Sequence, residues 1–255
     1  MIYVTGDTHR DYRRLRKDIF FEQKDLTKED YLIVCGDFGI WDHSTIEARM
    51  MDDLDAKNFT TLFVDGNHSN YDILAEYPVS DWHGGKVQFI RPSVIHLMRG
   101  QIFEIGGKTF FTMGGARSHD IDDGILDPDD PQFRRKRKAL DLRGGMYRVN
   151  HKSWWEQEMP SNEEYQEARK NLDRTNWSVD YIITHCAPTT IQDMLSAGMY
   201  RRDKLTDFLD EVYRKASYRY WLFGHYHDNR IVDRKHILLY EQIIELPEGE
   251  YPHGE

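Results

Sequence analysis

Five short apolar runs, each closed by a small set of polar residues, constrain this chain more than any other feature. They are Ile2-Tyr3-Val4, Leu32-Ile33-Val34, Leu62-Phe63-Val64, Tyr181-Ile182-Ile183 and Tyr220-Trp221-Leu222-Phe223. Short, continuous and rich in β-branched and aromatic residues, they read as strands covered on both faces. Directly behind them stand Gly6-Asp7-Thr8-His9, Gly36-Asp37, Gly66-Asn67-His68, Thr184-His185 and Gly224-His225-Tyr226-His227. In an open α/β sheet the loops at the carboxyl ends of strands gather along one edge, where ligands bind. The fold class is therefore α/β, with these residues brought together.

Helical patterns lie between the strands. Ser44 with Glu47 reads as a capping box opening a helix to Ala56, with Ile46, Met50 and Leu54 on one stripe. Ser161 with Glu164 opens a second, carrying Tyr165, Ala168 and Leu172, and Asp203–Ala216 a third, carrying Leu205, Phe208, Leu209 and Val212. A middle block, Val87–Ile90, Val94–Leu97, Ile102–Ile105 and Thr109–Thr112, reads as a meander of shorter strands.

Residues 114–160 show little periodicity and are expected to form an irregular insertion or lid ending at Trp154-Trp155. With 255 residues the chain suits a single domain over 1–245, followed by a flexible tail at 246–255. A net charge of −10 argues against wholesale coating of nucleic acid or anionic membrane. No segment reaches the roughly 20 apolar residues needed to span a bilayer. MIYVTGD has neither a basic nor an apolar leader region, so no signal peptide is expected. With two cysteines, Cys35 and Cys186, the expected compartment is the cytoplasm.

In an extended segment, side chains at i and i+2 point the same way. Asp7 with His9, and His225 with His227, then form two-toothed pincers. Imidazole, carboxylate and amide oxygen together suit first-row transition ions such as Mn, Fe, Zn, Ni or Co. Seven residues supply eight coordinating positions if one carboxylate bridges two ions, and Asp37 is the natural bridge.

The pattern D-x-H, GD, GN-H, H, GH-x-H, extending here from residue 3 to residue 227, resembles the calcineurin-like metallophosphoesterase superfamily. The resemblance implies a four-layer α/β/β/α sandwich with a binuclear site. One ion would take Asp7, His9, Asp37 and His227, and the other Asp37, Asn67, His185 and His225. His68 would face the leaving group, stabilising the transition state or protonating the departing oxygen. Two divalent ions, manganese first, would activate hydroxide for in-line attack.

The chain departs from the protein-phosphatase version of this pattern. Gly36-Asp37-Phe38-Gly39-Ile40-Trp41 and Gly66-Asn67-His68-Ser69 lack both the aspartate that orients the histidine and the arginine that holds phosphate. Asp42 or Asp72 is a substitute for the first, and Arg10 or Arg117 for the second. The segments Gly114-Gly115-Ala116-Arg117-Ser118-His119-Asp120 and Trp154-Trp155-Glu156-Gln157-Glu158 resemble uncharacterised bacterial and phage-type metallophosphoesterases, and more faintly RNA lariat debranching enzymes. Arg10, Arg117 and His119 are the candidate substrate contacts, with Asp120 beside them.

The expected function is hydrolysis of phosphate esters, diesters ahead of monoesters of nucleotides or phosphoproteins. A scaffold that has lost its metal chemistry is disfavoured, because every ligand position holds a suitable residue. Two basic runs, Arg134–Lys138 and Arg13–Lys17, admit nucleic acid or a nucleotide as partner, although such runs are more often solvated faces. No membrane partner is expected, and the sequence leaves the oligomeric state open.

Overall fold

The computed structural model describes residues 1–248. Its centre is a pair of sheets. The first runs Ile243–Glu245, Ile2–Thr5, Tyr31–Val34, Thr60–Phe63, Val94–Leu97, Gly85–Arg91, Val79–Trp82 in spatial order. The second runs Arg230–Ile231, His236–Leu238, Tyr220–Phe223, Tyr181–Thr184, Lys108–Met113, Gln101–Ile105. The inner strands of both are parallel and the edges antiparallel. All five apolar runs are inner strands, so their polar closing residues emerge along one edge, as expected of a doubly covered α/β sheet.

Alternation along the strands sorts side chains between layers. Val4, Ile33, Leu62, Ile183 and Leu222 point into the space between the sheets and form one core. Tyr3, Leu32, Val34 and Phe63 point out to the helix Thr45–Asp55 and its neighbours. Ile182, Trp221 and Phe223 point out to Asn162–Arg174, Thr189–Ser196 and Lys204–Lys215. This is a four-layer α/β/β/α sandwich. Among the described residues no helix is long and apolar enough to cross a membrane.

Three local expectations change. The middle block is not one meander: Gly85–Arg91 pairs with Val94–Leu97 in the first sheet, while Gln101–Ile105 pairs with Lys108–Met113 in the second. The chain crosses between sheets at Arg99-Gly100, where Gly100 has φ +68°. In the helix Thr45–Asp55, Ser44 does cap Glu47 N at 3.1 Å, but the Glu47 carboxylate does not close a capping box. It turns inward and accepts from Trp41 N and Asp42 N at 2.8 and 3.0 Å. The buried stripe is accordingly Glu47, Met51 and Leu54, with Ile46 exposed. Inside residues 114–160 the chain forms a helix, Phe133–Leu142, and a parallel pair, Ile125–Leu126 with Arg148–Val149. Hydrophobic periodicity could not announce that helix, because only Leu140 of it is buried.

Of the expected tail, Leu246 is buried in the central core and donates its N–H to Ile2 O at 2.8 Å. Residues 249–255 lie outside the described residues.

Candidate metal centre

The strand-end residues converge. His9 Nε2 lies 2.9 Å from His227 Nε2, 3.7 Å from Asp7 Oδ2 and 3.8 Å from Asp37 Oδ2. His227 Nε2 is 3.2 Å from Asp7 Oδ2. On the other side, His185 Nε2 lies 3.4 Å from Asp37 Oδ2 and 3.2 Å from Asn67 Oδ1. The ring of His225 sits 4.9 Å from that of His185. Two groups have donor atoms close enough to hold a cation: Asp7, His9 and His227, and Asp7, Asp37 and His185.

The backbone reaches this convergence differently from the extended-strand reading. His9, Asp37, His225 and His227 all have positive φ, at 44°, 43°, 72° and 50°. They are loop residues in left-handed conformation, a costly state for residues with a side chain and one that clusters at functional sites. The His225 and His227 rings consequently go to different neighbours, His185 and His9. They are not teeth of one pincer.

Two glycines admit the ligands. A Cβ on Gly36, whose φ is +101°, would overlap the His185 imidazole, and a Cβ on Gly224 would overlap Asp7 Oδ1. Each glycine belongs to one sheet and receives a side chain from the other.

Electrostatics demand positive charge here. Asp7, Asp37, Asn67 and His185 are buried. Burial works against a charge on Asp37, yet His185, His68 and His9 outweigh it and hold the carboxylate well below its usual range. Burial likewise opposes charge on His185, but Asp37 and Asp7 overcome it and lift the imidazole to about 9. His225 is pushed far down by burial and by His185, which leaves it neutral, the state in which an imidazole can bind a metal. The His185 Nδ1–H donates to Cys35 O at 2.9 Å, which presents Nε2 to the carboxylates. This mixed nitrogen and oxygen set fits a divalent transition ion.

His68 stands at the rim of the same cluster, its backbone N–H donating to Asp37 Oδ1 at 2.8 Å. Neither Asp42 nor Asp72 orients its ring. Asp42 pairs with Arg10, and Asp72 accepts from Trp155 Nε1 at 2.7 Å and binds His151. The group that meets the ring is Arg148, which the sequence reading overlooked. Its Nη1 lies 3.4 Å from His68 Nδ1 and its Nη2 3.2 Å from Nε2. Asp120 accepts from Arg148 Nε at 2.7 Å, and Ser153 O accepts from Nη1 at 3.0 Å. Burial lowers the His68 pKa to about 4, with Asp37 opposing and Arg148 adding to the fall. No motif marked Arg148, since it arrives from the far end of the insertion, 80 residues after His68.

Of the candidate substrate contacts, Arg117 and His119 line a cleft of about 380 Å³ beside the cluster, together with Tyr200 and Asp203. Arg10 does not line it, since its guanidinium is held by Asp42 and Ser44 at 3.0 and 2.9 Å. Ser118 and Glu158, one from each of the two insertion segments, join behind Asn67. Ser118 N and Oγ donate to the buried Glu158 carboxylate at 2.9 and 2.6 Å, while Asn67 Nδ2 lies 3.4 Å from Ser118 Oγ.

No curated protein matches this sequence. Among solved structures, a phosphopantetheinyl hydrolase from Mycobacterium tuberculosis aligns with a TM-score of 0.40 at 14% identity, covering 94% of this chain and 87% of that one. A protein of unknown function from Aquifex aeolicus aligns with a TM-score of 0.27 at 18% identity, over 69% of this chain and 98% of that one. The family model for calcineurin-like phosphoesterases matches residues 1–229, a span that takes in every strand-end ligand candidate. The chain belongs to the calcineurin-like phosphoesterase family and is a metal-dependent hydrolase of phosphoric esters.

Proposed function

We propose that the chain hydrolyses phosphodiesters with two divalent ions, manganese being the first to test. Asp7, His9, Asp37 and His227 would hold one, and Asp37, Asn67, His185 and His225 the other. The observation that carries this reading is the shared carboxylate. Asp37 Oδ2 lies 3.8 Å from His9 Nε2 and 3.4 Å from His185 Nε2, so it faces both halves of the cluster.

When bound, the ions supply Lewis acidity toward phosphoryl oxygens and a hydroxide nucleophile at neutral pH. The protein's residues supply the rest. His68 is neutral in its buried setting and offers a ring hydrogen bond to a phosphoryl or leaving oxygen. Arg148 provides a fixed positive charge beside it. His119 and Arg117 bound the cleft. That cleft runs on past the cluster to Tyr200 and Asp203, which leaves room for a substituent beyond the phosphate.

The test is turnover of bis-p-nitrophenyl phosphate against p-nitrophenyl phosphate in Mn²⁺, with Asp37→Ala as control. Diester turnover well above monoester turnover is expected, and Asp37→Ala should lose both metal and activity. The reverse preference would make the protein a phosphomonoesterase. Two metals retained by Asp37→Ala would refute the bridge.

A further inference from the structure

Residues 122–148 leave the cleft and return to it. Asp122 lines the cleft, and the adjacent Asp123 accepts from Met146 N at 2.9 Å and binds Arg143. Ile125–Leu126 and Arg148–Val149 pair in parallel, and Arg148 ends against His68. The excursion between these anchors is the helix Phe133–Leu142, seated by buried Leu140. Its five consecutive cations are exposed in whole or in part. Lys136 is bound to Asp130, and Arg137 lies 3.8 Å from Asp141. Arg134, Arg135 and Lys138 are exposed and carry no hydrogen bond or ion pair among the described residues. These cations stand on a segment whose two ends meet the cleft, at Asp122 and, through Arg148, at His68.

The cleft itself offers an aromatic surface. Tyr200 stacks on half-buried Tyr226 with centroids 5.5 Å apart and planes at 24°, yet remains 49% exposed. Met199 beside it is 81% exposed, and Arg201 reaches across to Asp122 at 3.5 Å. The Arg201–Asp122 contact joins Tyr200 to the segment that carries the unpaired cations, and stacking surface combined with such cations is what binds single-stranded nucleic acid: rings take bases, and cations follow the backbone. A duplex cannot offer an unstacked base to Tyr200, and an acidic peptide would use the cations while leaving the ring idle.

We propose that the cleft takes single-stranded nucleic acid, with a base on Tyr200 and the flanking phosphates running to Arg134, Arg135 and Lys138. This names the substrate class for the phosphodiesterase reading and rests on that reading for turnover, but binding can be measured separately.

The experiment is fluorescence anisotropy of the Mn²⁺-loaded full chain with a labelled, hydrolysis-resistant phosphorothioate single strand of about 12 nucleotides, and with its duplex. The single strand should bind at least about tenfold more tightly than the duplex. Arg134→Glu/Arg135→Glu/Lys138→Glu should weaken binding about tenfold or more and reduce the slope of log affinity against log salt by about 2. Tyr200→Ala should weaken it about tenfold without moving that slope. The triple charge variant, which touches no cleft residue, should keep wild-type turnover of bis-p-nitrophenyl phosphate. Absence of single-strand binding, equal binding of duplex, or wild-type binding by both variants would overturn the inference. Failure of the wild type to turn over the small diester would remove the phosphodiesterase reading alone, leaving the anisotropy to judge this one.

Discussion

Arg148 covers both ring nitrogens of His68, at 3.4 and 3.2 Å, while Asp120 and Ser153 O hold the guanidinium from behind. Arg148→Ala should therefore lower kcat by about 10²–10³, the cost of removing a fixed charge-stabilising donor. Metal content should not change. Arg148→Lys should recover little, because an ammonium cannot hold the Asp120 and Ser153 contacts while also reaching the ring. Steady-state kinetics with metal analysis decides it, and an unchanged kcat would reduce Arg148 to a packing residue.

Ser118, held by Glu158, accepts from Asn67 Nδ2 and so leaves the amide oxygen toward His185. Ser118→Ala should weaken metal affinity by roughly 10–100-fold, as loss of an outer hydrogen bond to a ligand does. Ser118→Thr should restore it. Manganese titration is the readout, and affinity equal to wild type in Ser118→Ala would dismiss this role.

Arg99 and Asp65 form a buried ion pair behind the Gly66-Asn67-His68 loop. Arg99 Nε and Nη2 donate to Asp65 Oδ2 at 2.9 and 2.5 Å, and His96 and Tyr71 bind the same carboxylate. Arg99→Met leaves a buried carboxylate without its main countercharge and should cost about 3–5 kcal/mol in urea denaturation. Asp65→Asn/Arg99→Met should cost less than the sum of the singles.

His236 is buried between Asp233, 2.7 Å from Nδ1, and Tyr218 Oη, 3.0 Å from Nε2. Burial holds its pKa below the ordinary value, against the opposing pull of Asp233. In the unfolded chain the imidazole titrates near about 6.5. Between the two values the unfolded state binds the extra proton, so stability falls as pH drops below about 6.5 and levels off beneath the folded value. His236→Gln should flatten that part of the profile. Urea midpoints from pH 7.5 to 5 measure it, and parallel profiles for the two proteins would contradict the assignment.

Much of the site was legible because it obeys a topological rule. Parallel strands buried on both faces are continuous apolar runs, and their carboxyl ends share an edge, so Asp7, Asp37, Asn67, His185 and His225 could be grouped from spacing alone. What escaped notice depends on long-range contacts. Arg148 lies in a segment without apolar period, and its role is fixed only by His68 and Asp120. Glu47 has the spacing of a capping residue, but the unpaired N–H groups of Trp41 and Asp42 compete for its carboxylate and win. The strands His236–Leu238 and Ile243–Glu245 are three residues each, too short to stand out from loop sequence.

Gly36 and Gly224 exchange side chains across the seam of the sandwich, one accepting His185 and the other Asp7. At this end the two layers are separated by little more than a ring against bare backbone. Neither half can then mature alone: docking the layers and assembling the reaction centre are one event. A polypeptide caught with its sheets apart would hold every residue of the catalyst and none of its geometry.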